Sequence, residues 1–134
     1  MSRAGVELRQ LFLSLKTRYA GKIIETFLVL SLRGGLRNRK MITLLDGTIE
    51  LKTEKFAVIS INGVGYRVFF GPDAIQKIPE KGGNVKAWIH HHVREDSQEL
   101  YGFRHYAELE LFEMLIGISG IGPKGALGIM AIAP

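Results

Sequence analysis

Cysteine is absent from all 134 residues. That removes disulfides, thiolate metal sites and a cysteine nucleophile from consideration and leaves packing as the source of stability. It is compatible with a reducing compartment, and the cytoplasm is the expected location. Long apolar runs are missing too. The clusters Leu11-Phe12-Leu13 and Ile23 to Leu32 are separated by Lys16, Arg18 and Lys22, and neither approaches the roughly 20 residues of a membrane-spanning helix, so no membrane association is expected. No internal repeat or low-complexity tract occurs. The apolar fraction of 46% is sufficient for one domain, or for a small barrel with a short helical appendix.

Acidic residues are scarce in the first forty positions. Nine Lys/Arg there (Arg3, Arg9, Lys16, Arg18, Lys22, Arg33, Arg37, Arg39, Lys40) face only Glu7 and Glu25, whereas residues 41–134 carry nine Lys/Arg against eleven Asp/Glu. The net charge of +5 therefore belongs to the N-terminal segment, and bulk basicity is no argument for nucleic-acid binding by the rest. Residues 1–40 read as a basic extension. Either they are a poorly ordered or artefactual piece ahead of a true start at Met41, or they are a basic arm on nucleic acid or an amphipathic targeting peptide.

From Met41 the pattern becomes short β-like runs punctuated by turns. Ile42, Leu44, Ile49 and Leu51 flank Gly47 in a first strand, and Phe56-Ala57-Val58-Ile59-Ser60-Ile61 forms a second. Asn62-Gly63-Val64-Gly65 supplies a turn signal before a third strand at Tyr66 to Phe70, so residues 56–70 are predicted to be a hairpin closed by Gly71-Pro72-Asp73. A short helix is expected from Ala74 to Ile78, stopped by Pro79. Strands follow at Val85 to His90 and Glu99 to Phe103. Five strands with a small helix between the third and fourth suit a mainly β Greek-key barrel of the OB type over residues 41–103, since a sandwich would need about seven.

After Phe103 the period turns helical. Leu109, Phe112 and Ile116, with Leu111, Leu115 and Ile118 beside them, give a wide apolar arc, and Glu108, Glu110 and Glu113 lie where the helix dipole favours negative charge. Ser119-Gly120-Ile121-Gly122-Pro123-Lys124 then leads into a second apolar stretch with Ala126, Leu127, Ile129 and Met130. This makes residues 104–134 a partial helix-hairpin-helix domain. Gly120 and Gly122 permit positive φ and close backbone approach. Pro123 suits the first helical position. The turn's amides and the positive helix end form an anion site at Gly120, Ile121 and Gly122, with Lys124 as a mobile cation. Such a site grips phosphate without reading bases. A plain Gly-rich turn without a ligand is the alternative. Gly125 and Gly128 each cost a helix interior about 1 kcal/mol, so the second helix is expected to be frail.

In this order the pieces resemble the RuvA family, the junction-recognition subunits of the bacterial branch-migration complex. The resemblance covers Met41 to about Ile132. It rests on Met41-Ile42 with Gly47, the turn Asn62 to Tyr66, the segment His90 to Phe103 reading HHHVREDSQELYGF, Leu111-Phe112, and Gly120 to Lys124. It implies a non-catalytic homotetramer that holds a four-way (Holliday) junction open in recombination and repair, needs no cofactor, and works with the RuvB motor and the RuvC resolvase. It also implies that Glu95 and Asp96 form an acidic pin at the crossover. At physiological salt its repulsion of phosphate decays over about 8 Å, so it acts on the crossover and not on the arms. The family continues with a second helix-hairpin-helix and a C-terminal domain that contacts RuvB, so this sequence reads as a fragment expected not to engage the motor.

Other chemistry remains open for the same residues. Glu95 and Asp96, with Glu99 nearby, are a candidate Mg²⁺ pair for a nuclease, or a solvated turn without a role. Of His90, His91 and His92 only His90 and His92 share a strand face, too few for a metal set. Trp88, Tyr66, Phe69 and Phe70 are candidates for stacking single-stranded bases on an OB barrel, although core packing is the commoner fate.

Overall fold

The computed structural model describes residues 41–132, so the expectations for the basic extension 1–40 fall outside the described residues. The chain divides into a compact unit, Lys40–Leu109, and a second unit that includes Glu110–Pro134.

The first unit is a closed five-stranded barrel. Its strands are β1 (Leu44–Lys52), β2 (Phe56–Ile61), β3 (Val64–Phe70), β4 (Asn84–Val93) and β5 (Gln98–Phe103), with the short helix α1 (Pro72–Lys77) between β3 and β4. The order around the barrel is β1-β2-β3-β5-β4, with only β3 and β5 parallel. This is the OB arrangement expected from the strand count and helix position.

Closure falls to β1, which pairs with β4 through Leu44↔Trp88 to Thr48↔Asn84 and with β2 through Thr48↔Ser60 to Lys52↔Ala57. The register slips between Ile49 and Leu51, where Glu50 is the extra residue of a β-bulge that bends the strand. Gly47 sits where the strand passes from one partner to the other. A Cβ there would fall on the Ser60 carbonyl oxygen, and would lie 2.7 Å from Ile61 Cγ1 and 2.9 Å from Ile59 Cγ2.

Alternate residues of each strand fill the interior. Leu45, Ile49, Ala57, Ile59, Val68, Phe70, Val85, Ala87 and Ile89 form one buried cluster, and Ile75 and Ile78 join it from α1 and its C-terminal end. The β2–β3 turn is the Asn-Gly turn read from the sequence, with φ of 49° at Asn62 and 86° at Gly63. Helix α1 starts two residues earlier than expected. Gly71 is its N-cap and Pro72 occupies the first turn, where a missing N–H is harmless, so Gly-Pro begins the helix instead of closing the hairpin. At the other end, Lys52 Nζ donates to the Ile78 carbonyl at 3.1 Å and pairs with Glu80 at 2.8 Å, which ties β1 to the helix terminus. No helix among the described residues is long and apolar enough to cross a membrane.

If barrel closure depends on the bare backbone at Gly47, Gly47→Ala is expected to cost about 1–3 kcal/mol, the range of interior overpacking. The measurement is the denaturant midpoint at unchanged m-value. A midpoint equal to wild type would show that β1 shifts freely at this crossing.

Candidate nucleic-acid interface

Strand β4 runs three residues further than its apolar alternation indicated, through the histidines to Val93. Its partner β5 matches it in the pairs His90↔Tyr101, His91↔Leu100, His92↔Glu99 and Val93↔Gln98. The loop 94–97 joins them, closed by the Arg94 N–H donating to the Ser97 carbonyl at 2.8 Å. Glu95 and Asp96 stand at its tip and are exposed. The predicted acidic pair therefore lies at the end of a hairpin that both strands brace, and no ion pair among the described residues reaches it.

Behind the tip, the outer face of β4 and β5 carries interactions that the sequence did not disclose. His90 is fully buried although it points away from the barrel interior. Its ring lies 5.7 Å from that of His92 and 6.5 Å from that of Tyr101. Tyr101 donates its hydroxyl hydrogen to Glu99, and Arg94 Nε–H donates to His92 Nε2 at 3.0 Å. Burial first, then the bond to Glu99 and that carboxylate's charge, push the Tyr101 phenol well above its ordinary value, with Arg94 opposing. His91, on the opposite face, shares a hydrogen bond with Gln98 at 3.2 Å, and its Nδ1 is buried with no partner among the described residues.

These contacts bear on the rival readings. The Glu99 carboxylate is engaged by Tyr101, and among the described residues no group of three or more His, Asp or Glu is placed to hold a metal ion. Of the aromatic candidates for base stacking, Phe70 is buried in the core and Tyr66 packs against it. Phe69 lies between Phe56 and Tyr101, at ring separations of 5.9 and 5.8 Å. Trp88 meets Tyr106 edge-on at 5.0 Å. The single-strand-binding alternative is not favoured.

The second unit holds the other candidate. Helix α2 (Tyr106–Ile116) and helix α3 (Pro123–Ile132) flank the glycine turn. The Gly117 N–H donates to the Glu113 carbonyl at 3.3 Å, and the Ile118 N–H to that of Leu115 at 3.1 Å, which closes α2. Gly120 has φ of 89°, the left-handed conformation anticipated for it. Gly122, which also permits positive φ, does not adopt it. Around both residues a Cβ would meet nothing within 4 Å. The fold therefore gives no steric reason for glycine at 122.

Pro123 opens α3 as expected and is buried, while Lys124 is exposed. The first helical bond runs from the Ala126 N–H to the Gly122 carbonyl at 2.9 Å, so the amides of Lys124 and Gly125 precede it and have no helical acceptor. Amides in this position at a helix N-terminus are candidate donors to an anion. The Ile121 amide is not a donor to a ligand here, because it bonds to the Ile118 carbonyl at 3.1 Å. Ile121 enters the candidate set through its position in the turn alone.

A closed five-stranded barrel of the OB type with an acidic hairpin tip, followed in sequence by a helix-hairpin-helix element, defines the fold class. Residues 41–102 match the family model described as the RuvA N-terminal domain, and this segment belongs to that family. Three similar curated proteins are each named Holliday junction branch migration complex subunit RuvA. That of Geobacter sp. strain M21 is 45% identical over 91 residues, 68% of this chain and 46% of that protein. That of Geobacter sulfurreducens is 47% identical over the same shares. That of Brevibacillus brevis is 44% identical over 93 residues, 69% of this chain and 45% of that protein. The chain thus spans a little under half the length of these relatives.

Two predictions separate fold from site. Gly122→Ala is expected to leave the melting temperature unchanged while weakening DNA binding, whereas Gly120→Ala should also lose about 1–2 kcal/mol of stability for its left-handed φ; a destabilised Gly122→Ala variant would remove the ligand argument. For Tyr101 the fold keeps the neutral phenol, so its contribution is whole below pH about 10 and is lost as pH rises toward the elevated folded-state value. Stability measured across the alkaline range should fall less steeply in Tyr101→Phe than in wild type.

Proposed function

We propose that this chain binds four-way (Holliday) junction DNA by structure and not by sequence, as a DNA-binding subunit of a branch-migration complex in recombination and repair. The observation that carries this reading is Gly122. It is a glycine that neither backbone conformation nor space demands, beside the unsatisfied amides of Lys124 and Gly125 at a helix N-terminus. In this reading the domains are the barrel 41–103 and the helix-hairpin-helix segment 104–134. Gly120, Ile121, Gly122 and Lys124 make up the turn that holds a phosphate, with the Ile121 amide already bonded to the Ile118 carbonyl.

The acidic hairpin supplies the opposite force. Glu95 and Asp96 sit at the junction crossover and repel phosphates at short range, which spreads the strands, while the hairpins hold the arms. Four copies around a four-armed substrate would bring eight such carboxylates together, so a homotetramer is the assembly this division of labour calls for. The chain performs no bond chemistry of its own in this scheme. Work on the DNA belongs to the RuvB motor and cleavage to the RuvC resolvase.

A gel shift comparing a synthetic four-way junction with linear duplex of equal length tests this reading. The junction should bind more tightly, and addition of Mg²⁺ should produce no cut strands. Equal affinity for the two DNAs would refute structure selectivity. Lys124→Ala should weaken both complexes and lower the magnitude of the salt slope by about 0.9 for each phosphate that the lysine no longer neutralises.

A further inference from the structure

Arg94, Glu95 and Asp96 follow one another in the β4–β5 turn. An exposed arginine next to two carboxylates has the reach to lie over either of them. It is held elsewhere. Its Nε–H donates to Nε2 of His92 at 3.0 Å, two residues back along β4. His92 is in turn fixed by its neighbours, with ring separations of 5.7 Å to His90 and 6.4 Å to Tyr101. For Nε2 to accept, the ring must be neutral with its proton on Nδ1.

From this geometry we infer that His92 is a positioning residue for the acidic turn, holding the Arg94 guanidinium toward β4 so that it does not pair directly with Glu95 or Asp96 at the tip. The inference rests on the reading of those two carboxylates as the crossover element. An unrestrained Arg94 would screen one of them at contact distance. Since exposed charges act only within about a Debye length, that local neutralisation is the change a crossover phosphate would feel most. The device needs no extra residue at the tip. It uses a strand histidine to store a counter-charge that the turn sequence would otherwise place on its own carboxylates.

The test uses the full chain with a synthetic four-way junction carrying 2-aminopurine at the crossover, whose fluorescence rises when the bases unstack. His92→Phe keeps an aromatic ring between His90 and Tyr101 but removes the acceptor. It should tighten junction binding about 2–5-fold at low salt, the span one exposed ion pair supports, and lower the fluorescence rise. His92→Gln retains an acceptor and should behave as wild type. In an Arg94→Gln background, where packing is untouched because Arg94 is exposed, His92→Phe should change nothing further.

The same effect of His92→Phe in both backgrounds, or none in wild type, would overturn the inference. The double substitution Glu95→Gln with Asp96→Asn tests the reading beneath it. If that variant leaves the fluorescence rise intact, the crossover role fails and this inference fails with it. If it abolishes the rise while His92→Phe is silent, the crossover role stands and the positioning role alone is refuted.

Discussion

A five-stranded barrel closes only if its first strand hydrogen-bonds along both edges, and the geometry of everything else in the barrel follows from that demand. In β1 the two sets of bonds meet at Thr48, which pairs with Ser60 on one side and Asn84 on the other. The bulge at Glu50 supplies the bend, and the bare backbone at Gly47 allows β2 to approach. Closure puts β4 between β1 and β5 and so gives it two partners. It pairs with β1 over Asn84 to Trp88 and with β5 over Trp88 to Val93, so β5 alone holds the far end that carries the hairpin. The acidic tip at 94–97 is that end.

The charge of the chain bears on the proposed DNA binding in a different way. Residues 41–134 carry eleven acids against nine bases, and on charge alone they are a poor polyanion binder. In the proposed function, attraction is assigned to the backbone amides at the start of α3 and to Lys124, and repulsion to Glu95 and Asp96. Neither of these roles involves contact with a base, so the selectivity proposed is for the shape of the DNA and not for its sequence.

Much of this was legible in the sequence, and what was not has physical reasons. Alternation marked the strands because each has one face in the core, and Asn62-Gly63 marked the hairpin because few residues accept positive φ twice in succession. The β4 extension was invisible since His90 to His92 carry no apolar alternation, and β4 is held there by β5 pairing. Gly71-Pro72 admits two meanings, and only the presence of a helix behind it selects the N-cap. Residue type was enough to put Glu95, Asp96 and Gly120 in turns and Lys124 at the start of a helix. The Gly122 conformation was not legible, since a glycine in sequence does not reveal whether it is wanted for φ, for space or for a ligand. The bond from Arg94 to His92 was hidden because it links a loop residue to the strand residue two positions before it, a spacing that carries no pattern of its own.

The arginine's choice of partner bears on how such a turn evolves its charge. Three consecutive charged residues of mixed sign give a loop whose net value depends on side-chain conformation, because the arginine is free to pair with either acid. Fixing that choice requires an acceptor outside the loop, near enough to compete and rigid enough to win. A strand residue two positions back satisfies the distance, since i and i−2 share a face. An imidazole packed between rings satisfies the rigidity. A carboxylate at His92 would hold Arg94 more strongly but add a further negative charge near Glu99, which Tyr101 already occupies. A neutral acceptor restrains the cation without altering the local balance, and a histidine with its proton on Nδ1 is such an acceptor while its ring packs beside His90 and Tyr101.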